Sequence, residues 1–368
     1  MSSTDKLDFE IDTAYPHTVK KFELIEKYAT EWAVKLLNFG KSKGIIFIDC
    51  MSNCGHYVNI NGEDVYGTPV RVARELSLLA DANPSKTITV YFNDISQRKI
   101  SYLQTLLPQN QKNFLINLSH IDGNDLLKRV HAELPPNTNC LLVYDPYEAA
   151  IDWSALAPFL NIWGEVIVNH MVSDSKRGVS QARRPAALAK YGATYQKSIE
   201  ELRFFSGTKD AFEQRIQNII IESRGQDKKG YFISSFPFFN RKNQVVYNLI
   251  HCSGNIKGRR LFKKIAWDTF GGKSSLKDTH GKENQFILDF ENDGEQVMQT
   301  DDHCYYVQDI AQYIYDAYKG RASVALGEIY ALLDDHPIFP SDGYKTKIKD
   351  ELKKRYNAHV STTTITFC

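Results

Sequence analysis

Five short apolar runs, alternating with amphipathic helical stretches, limit the folds open to this chain more than any single motif does. The runs span 44–50, 87–93, 114–118, 140–144 and 165–170, and helical patterns lie between them at 70–79, 96–107, 124–133 and 153–160. Strands buried on both faces read as near-continuous apolar runs. Their alternation with helices implies βαβ units and a parallel sheet covered on both sides. Ahead of them, residues 17–38 place Phe22, Ile25, Tyr28, Ala29, Trp32 and Leu36 on one helical stripe, with Thr18 as the expected N-cap.

After His170 the rhythm changes. A polar, basic stretch reads as a helical insertion around 172–228. Two further strand-like runs, 231–236 and 245–252, suit an antiparallel hairpin that completes the sheet. This gives an α/β, doubly wound domain over 1–270. A Gly-, Asp- and Glu-rich linker is expected over 271–303. The remainder, 304–368, shows helix, helix, turn, helix and strand, the order of a winged helix-turn-helix.

The chain has 368 residues with a formal net charge of +1, which leaves nucleic-acid and protein partners equally open. No apolar run approaches the ~18 residues that a membrane span needs. The polar, acidic start Met-Ser-Ser-Thr-Asp lacks a signal-peptide core, so a cytoplasmic protein without membrane contact is expected. The six cysteines form no CxxC pair. Cys50, Cys54 and His56 fall short of the four ligands in paired spacing that structural zinc takes, so no metal is expected. There is no P-loop, HExxH or Ser/His/Asp order.

The candidate chemistry lies at the strand ends. Gly44-Ile-Ile-Phe-Ile-Asp49 ends an apolar run in an acid, and the following loop reaches Gly55. Asp94, Asp122 and Asp145 follow later strands. In doubly wound sheets such ends face one crevice, where carboxylates can accept hydrogen bonds from a ribose diol, an adenine amine or an ammonium. Asp and Asn are also ordinary turn and cap residues. Asp145-Pro146-Tyr147 stands where methyltransferases acting on amino groups carry Asp/Asn-Pro-Pro-Tyr/Phe, whose acid orients the amine and whose ring stacks on a base. The run Lys257-Gly-Arg259-Arg260-Leu-Phe-Lys263-Lys264 is either a phosphate-binding surface or a solvated helix face.

Together these segments resemble the three-Cys-motif partner family (TcmP), named for its genomic pairing with a radical-SAM-like protein. The matching pieces are His17-Thr-Val-Lys-Lys21 through Trp32, Phe47-Ile-Asp49 to Gly55 followed by Gly67-Thr-Pro69, Leu142-Val-Tyr-Asp145-Pro-Tyr147, and Val246-Tyr-Asn-Leu-Ile-His251 before Trp267. Met51-Ser-Asn-Cys-Gly55 stands where the family has Phe-Ala-Gly-Pro-Gly, and Asp145-Pro-Tyr-Glu148 where it has Asp-Pro-Phe-Gly. The resemblance implies a class I methyltransferase-like fold with a C-terminal winged helix. It implies S-adenosylmethionine as cofactor, with Asp49 and Gly55 at its methionine portion, Asp94 at the ribose and Asp122 at the adenine. Asp145, Pro146 and Tyr147 would position the acceptor. Lys257, Arg259, Arg260, Lys263 and Lys264 are the expected nucleic-acid contacts, and a three-Cys-motif protein is a possible partner. The alternative is a non-enzymatic binding partner with a degenerate cofactor site.

Overall fold

In the computed structural model, residues 9–135, 138–162, 164–181, 183–205, 211–224, 231–240, 244–277 and 304–367 are described. A short strand β1 (Thr13–Ala14) precedes the helix α1 (Pro16–Leu37), and β2 (Gly44–Asp49) follows. The helix begins before Thr18: Tyr15 is its N-cap, and Pro16 brings a φ already suited to a first turn. A hairpin, β3 (His56–Asn59) and β4 (Asp64–Tyr66), leads into α2 (Thr68–Ala82). Then come β5 (Thr87–Asn93), α3 (Gln97–Leu106), β6 (Phe114–Ser119), α4 (Gly123–Glu133), β7 (Asn139–Tyr144), α5 (Trp153–Leu156) and β8 (Gly164–His170).

The insertion is helical, with α6 (Val172–Gln181), α7 (Pro185–Tyr195), α8 (Ile199–Phe205) and α9 (Ala211–Glu222). The hairpin β9 (Phe232–Phe239) and β10 (Val245–Ser253) precedes α10 (Ile256–Thr269). Most of the expected linker, 278–303, lies outside the described residues. Beyond it lie α11 (Val307–Tyr318), β11 (Val324–Ala325), α12 (Leu326–Asp335), α13 (Lys345–Tyr356), β12 (His359–Val360) and β13 (Thr364–Thr366), the last strands forming a sheet in the order β11-β13-β12.

The main sheet has seven strands in the order β6-β5-β2-β7-β8-β10-β9. From β6 to β8 the neighbours are parallel, and β10 runs against both β8 and β9. The run in β2 shows how both faces are covered. Ile45 and Phe47 enter a core shared with α1, α2 and α10, while Ile46 and Ile48 enter one shared with α4 and α5. This period of two, with every residue buried, is why the strand reads as unbroken apolar sequence. The first of these cores continues into the C-terminal unit. Trp267 of α10 lies 5.4 Å from Tyr344 and 6.3 Å from Phe339, centroid to centroid, and donates its indole N–H to the Ile338 carbonyl at 3.0 Å.

Candidate functional site

The order of strands reverses between β2 and β7, and ligands of open α/β sheets sit beyond the carboxyl ends at such a point. Register brings the acids there. Asp49 pairs with Phe92 on one side and Val143 on the other, so Asp94 and Asp145 lie just past it on the same edge. Asn93 ties the edge together, donating to the Cys50 and Ile121 carbonyls at 3.1 and 2.9 Å while its own amide oxygen accepts from Ser119.

Asp49 is almost fully buried, and its carboxyl is pushed up to about 7, first by burial and then by the charge of Asp145; Lys21 and the Met51 N–H pull the other way. Asp145 accepts from the Lys21 ammonium and, at 2.5 Å, from the Asn169 amide. The carbonyl oxygen of that same amide is buried without a hydrogen-bond partner among the described residues. Asp94 accepts the Ser96 N–H on Oδ1 at 2.8 Å. Asp122 uses Oδ1 to cap α4, taking the Asn124 and Asp125 N–H groups. The ordinary turn and cap chemistry of these two acids is therefore present, with one carboxylate oxygen of each outside those bonds.

The loop after β2 keeps a glycine-like backbone with fewer glycines. Asn53 stands where the resembled family carries its first glycine and adopts φ +57°, and Gly55 adopts φ +70°. Asparagine enters this left-handed region more readily than most side chains, so the loop turns at Asn53 without a glycine there. Met51 is different. Its side chain packs where a Cβ on Gly123 would stand, 3.0 Å from Met51 Cε, and so narrows the space between loop and α4.

The crevice also holds the chain's own aromatics. Tyr57 packs on Phe22 with centroids 4.9 Å apart, and its hydroxyl is pushed well up by burial and by Asp145 and Asp49. The Lys21 ammonium lies 5.3 Å from the Tyr247 ring centroid. By contrast Tyr147 is 86% exposed and forms no platform within the crevice, while Pro146 is buried.

The sheet is methyltransferase-like. No family model matches the chain, and no curated protein matches it. Among solved structures, a Legionella pneumophila protein of the family model DUF519 aligns at 11% identity over 67% of this chain and 91% of its own, with a TM-score of 0.39. Human methyltransferase-like protein 13, solved with SAH, aligns at 9% identity over 74% of this chain and 97% of its own, with a TM-score of 0.32. A putative caffeoyl-CoA O-methyltransferase of Staphylococcus aureus aligns at 12% identity over 63% and 82%, with a TM-score of 0.28. Likenesses this distant add nothing to what strand order establishes. No described helix is long and apolar enough to cross a membrane.

The basic run on α10 departs from the expected phosphate-binding surface. Lys263 is fully buried and donates to the Leu333 and His336 carbonyls at 2.7 and 2.9 Å. Arg259 is 7% exposed and donates to the Asp335 carbonyl. Arg260 is paired with Asp334, and Lys264 with Glu31 and Asp268. Arg259, Arg260 and Lys263 thus join α10 to the C-terminal unit, Lys264 is paired with residues of α1 and α10, and only Lys257 of the run stays exposed without an ion pair among the described residues. Sequence reasoning also passed over Lys21 and Asn169. Lys21 carried a usable signal, since with Leu24, Ile25 and Tyr28 it occupies the apolar stripe of α1.

Proposed function

We propose that this chain is an S-adenosylmethionine-dependent, methyltransferase-like protein that receives an amine at Asp145 and acts on, or is bound to, nucleic acid. The observation that carries this reading is the unpartnered amide oxygen of Asn169 beside Asp145. A buried acceptor without a donor is costly, and a carboxylate next to it makes a two-acceptor seat suited to an amino group. The residues present fit the cofactor in part. Asp94 has Oδ2 for a ribose hydroxyl, Asp122 has Oδ2 for the adenine amine, and the left-handed turns at Asn53 and Gly55 let the backbone approach the methionine portion near Asp49. Once bound, that group supplies an electrophilic methyl. The protein's share is to hold the acceptor in line and exclude water.

A second reading has its own support. Lys21 already occupies Asp145, and Met51 narrows the cofactor side, as expected of a binding partner that has lost turnover. In either case the C-terminal unit, read as a winged helix, offers Lys347, Lys349 and Lys354 of α13 for nucleic acid, and a three-Cys-motif protein is the partner the family resemblance suggests. Calorimetric titration with S-adenosylmethionine separates the two readings. The enzyme reading expects binding that weakens about tenfold or more in Asp94→Ala, the loss of one charge-assisted hydrogen bond. A flat titration of the wild type leaves the scaffold.

A further inference from the structure

At the opposite edge of the sheet, away from Asp49 and Asp145, lies a cleft of about 1100 Å³. Its walls come from the last turn of α1 and the turn after it, the first residues of β7 and β8, and the strand-to-helix turn Ser253-Gly-Asn-Ile-Lys257 that opens α10. Four cations reach it: Lys35, Lys41, Lys257 and Arg224. Arg224 is the informative one. Its guanidinium stacks 3.7 Å over Tyr231, yet Nε and Nη1 are buried with no hydrogen-bond partner among the described residues. Among the described residues the one carboxylate on the lining, Glu165, is already engaged by Tyr28 and by His251 at 2.7 Å. The N-terminus of α10 adds a partial positive charge, and Gly254 leaves open space in front of it.

Part of the remaining wall is apolar. Phe39 is 48% exposed between Lys35 and Lys41, with Leu36, Trp32 and Leu261 near it. Aromatic faces beside cations are how proteins hold a base and its phosphate together. The side-chain amide of Asn139, also on the lining, would have a use for a base edge and none for an acyl chain.

We propose that this cleft binds a nucleoside phosphate. The phosphate lies on Arg224, Lys257 and the start of α10, and the base lies against Phe39. The ligand is a free nucleotide or the phosphorylated end of a single strand, and both present the same group.

Calorimetry on the full chain with AMP, a 5′-phosphorylated trinucleotide, adenosine and inorganic phosphate tests this. AMP or the trinucleotide should bind at least tenfold tighter than either adenosine or phosphate. Equal affinities for the two assign a free nucleotide, and tighter trinucleotide binding assigns a strand end. Arg224→Ala should raise Kd at least tenfold. Because Arg224 also packs on Tyr231, the exposed Lys257→Glu is the companion variant and should do the same without altering the melting temperature. No binding by either nucleotide, adenosine binding as tightly as AMP, or affinity unchanged by Lys257→Glu overturns the proposal.

Discussion

Lys263 provides the most exacting test of how the C-terminal unit is held. Its ammonium is sealed between α10 and the end of α12, and burial, with the nearby Arg259 charge second, lowers its pKa from 10.5 to about 7. Between those two values the unfolded chain binds a proton that the folded chain has released. Stability must therefore rise with pH across that window, by at most about 1.4 kcal/mol per pH unit. Lys263→Met keeps the apolar stem, abolishes the titration and strips the Leu333 and His336 carbonyls of their donor, each loss costing about 1–3 kcal/mol. At pH 7 that cost is opposed by relief from holding a buried amine, so the two proteins should lie within about 2 kcal/mol of each other. By pH 10 the wild type should lead by several kcal/mol. Urea unfolding at intervals from pH 7 to 10 measures the gap, and since all other titrating groups are shared, the difference isolates this one. A gap that stays constant would mean that Lys263 titrates as a solvated lysine. A gap that narrows would mean that the fold prefers its charged form.

Asp49→Asn reads a buried carboxyl. A carboxyl raised to about 7 stabilises the fold below pH 4, and that contribution is lost as pH rises through 7. The variant should therefore overtake the wild type by up to about 4 kcal/mol at pH 8 and match it near pH 4; thermal melts showing the same gap at both values would refute the burial. Gly55→Ala should cost about 1–3 kcal/mol, because φ is +70° and the new Cβ would lie 2.6 Å from Leu103 Cδ1 and 2.8 Å from Val70 Cγ2. An unchanged urea midpoint would show that the loop can take another path.

The sheet was legible because strands buried on both faces leave an unmistakable trace: five apolar runs became five parallel strands, and the hairpin at the end became β9 and β10. The small sheet of β1, β3 and β4 left no such trace. Its strands are short and largely half-exposed, and so carry no continuous apolar run. The acids were placed correctly along one edge, since that follows from strand order. The roles of side chains depend on partners far along the chain, and those are invisible locally. Lys263 looks like any cation of a basic helix until the carbonyls of α12, 70 residues away, close over it. Lys21 and Asp145, 124 residues apart, are the same case.

The first helix carries a consequence for how the protein is made. Tyr28 of α1 is bonded to Glu165, 137 residues downstream, and to His251, 223 residues downstream. A ribosome adding about 5–20 residues per second needs roughly 10–45 s to span the longer of these separations. Throughout that interval the stripe of Leu24, Tyr28 and Trp32 has been synthesised while α10 and its Phe262, which covers Tyr28 at 5.0 Å, do not yet exist. Helix α2 and strand β2, made early, already pack on α1, but the side of the helix that carries Tyr28 lacks its final cover until α10, which follows the last strand of the main sheet, has been made.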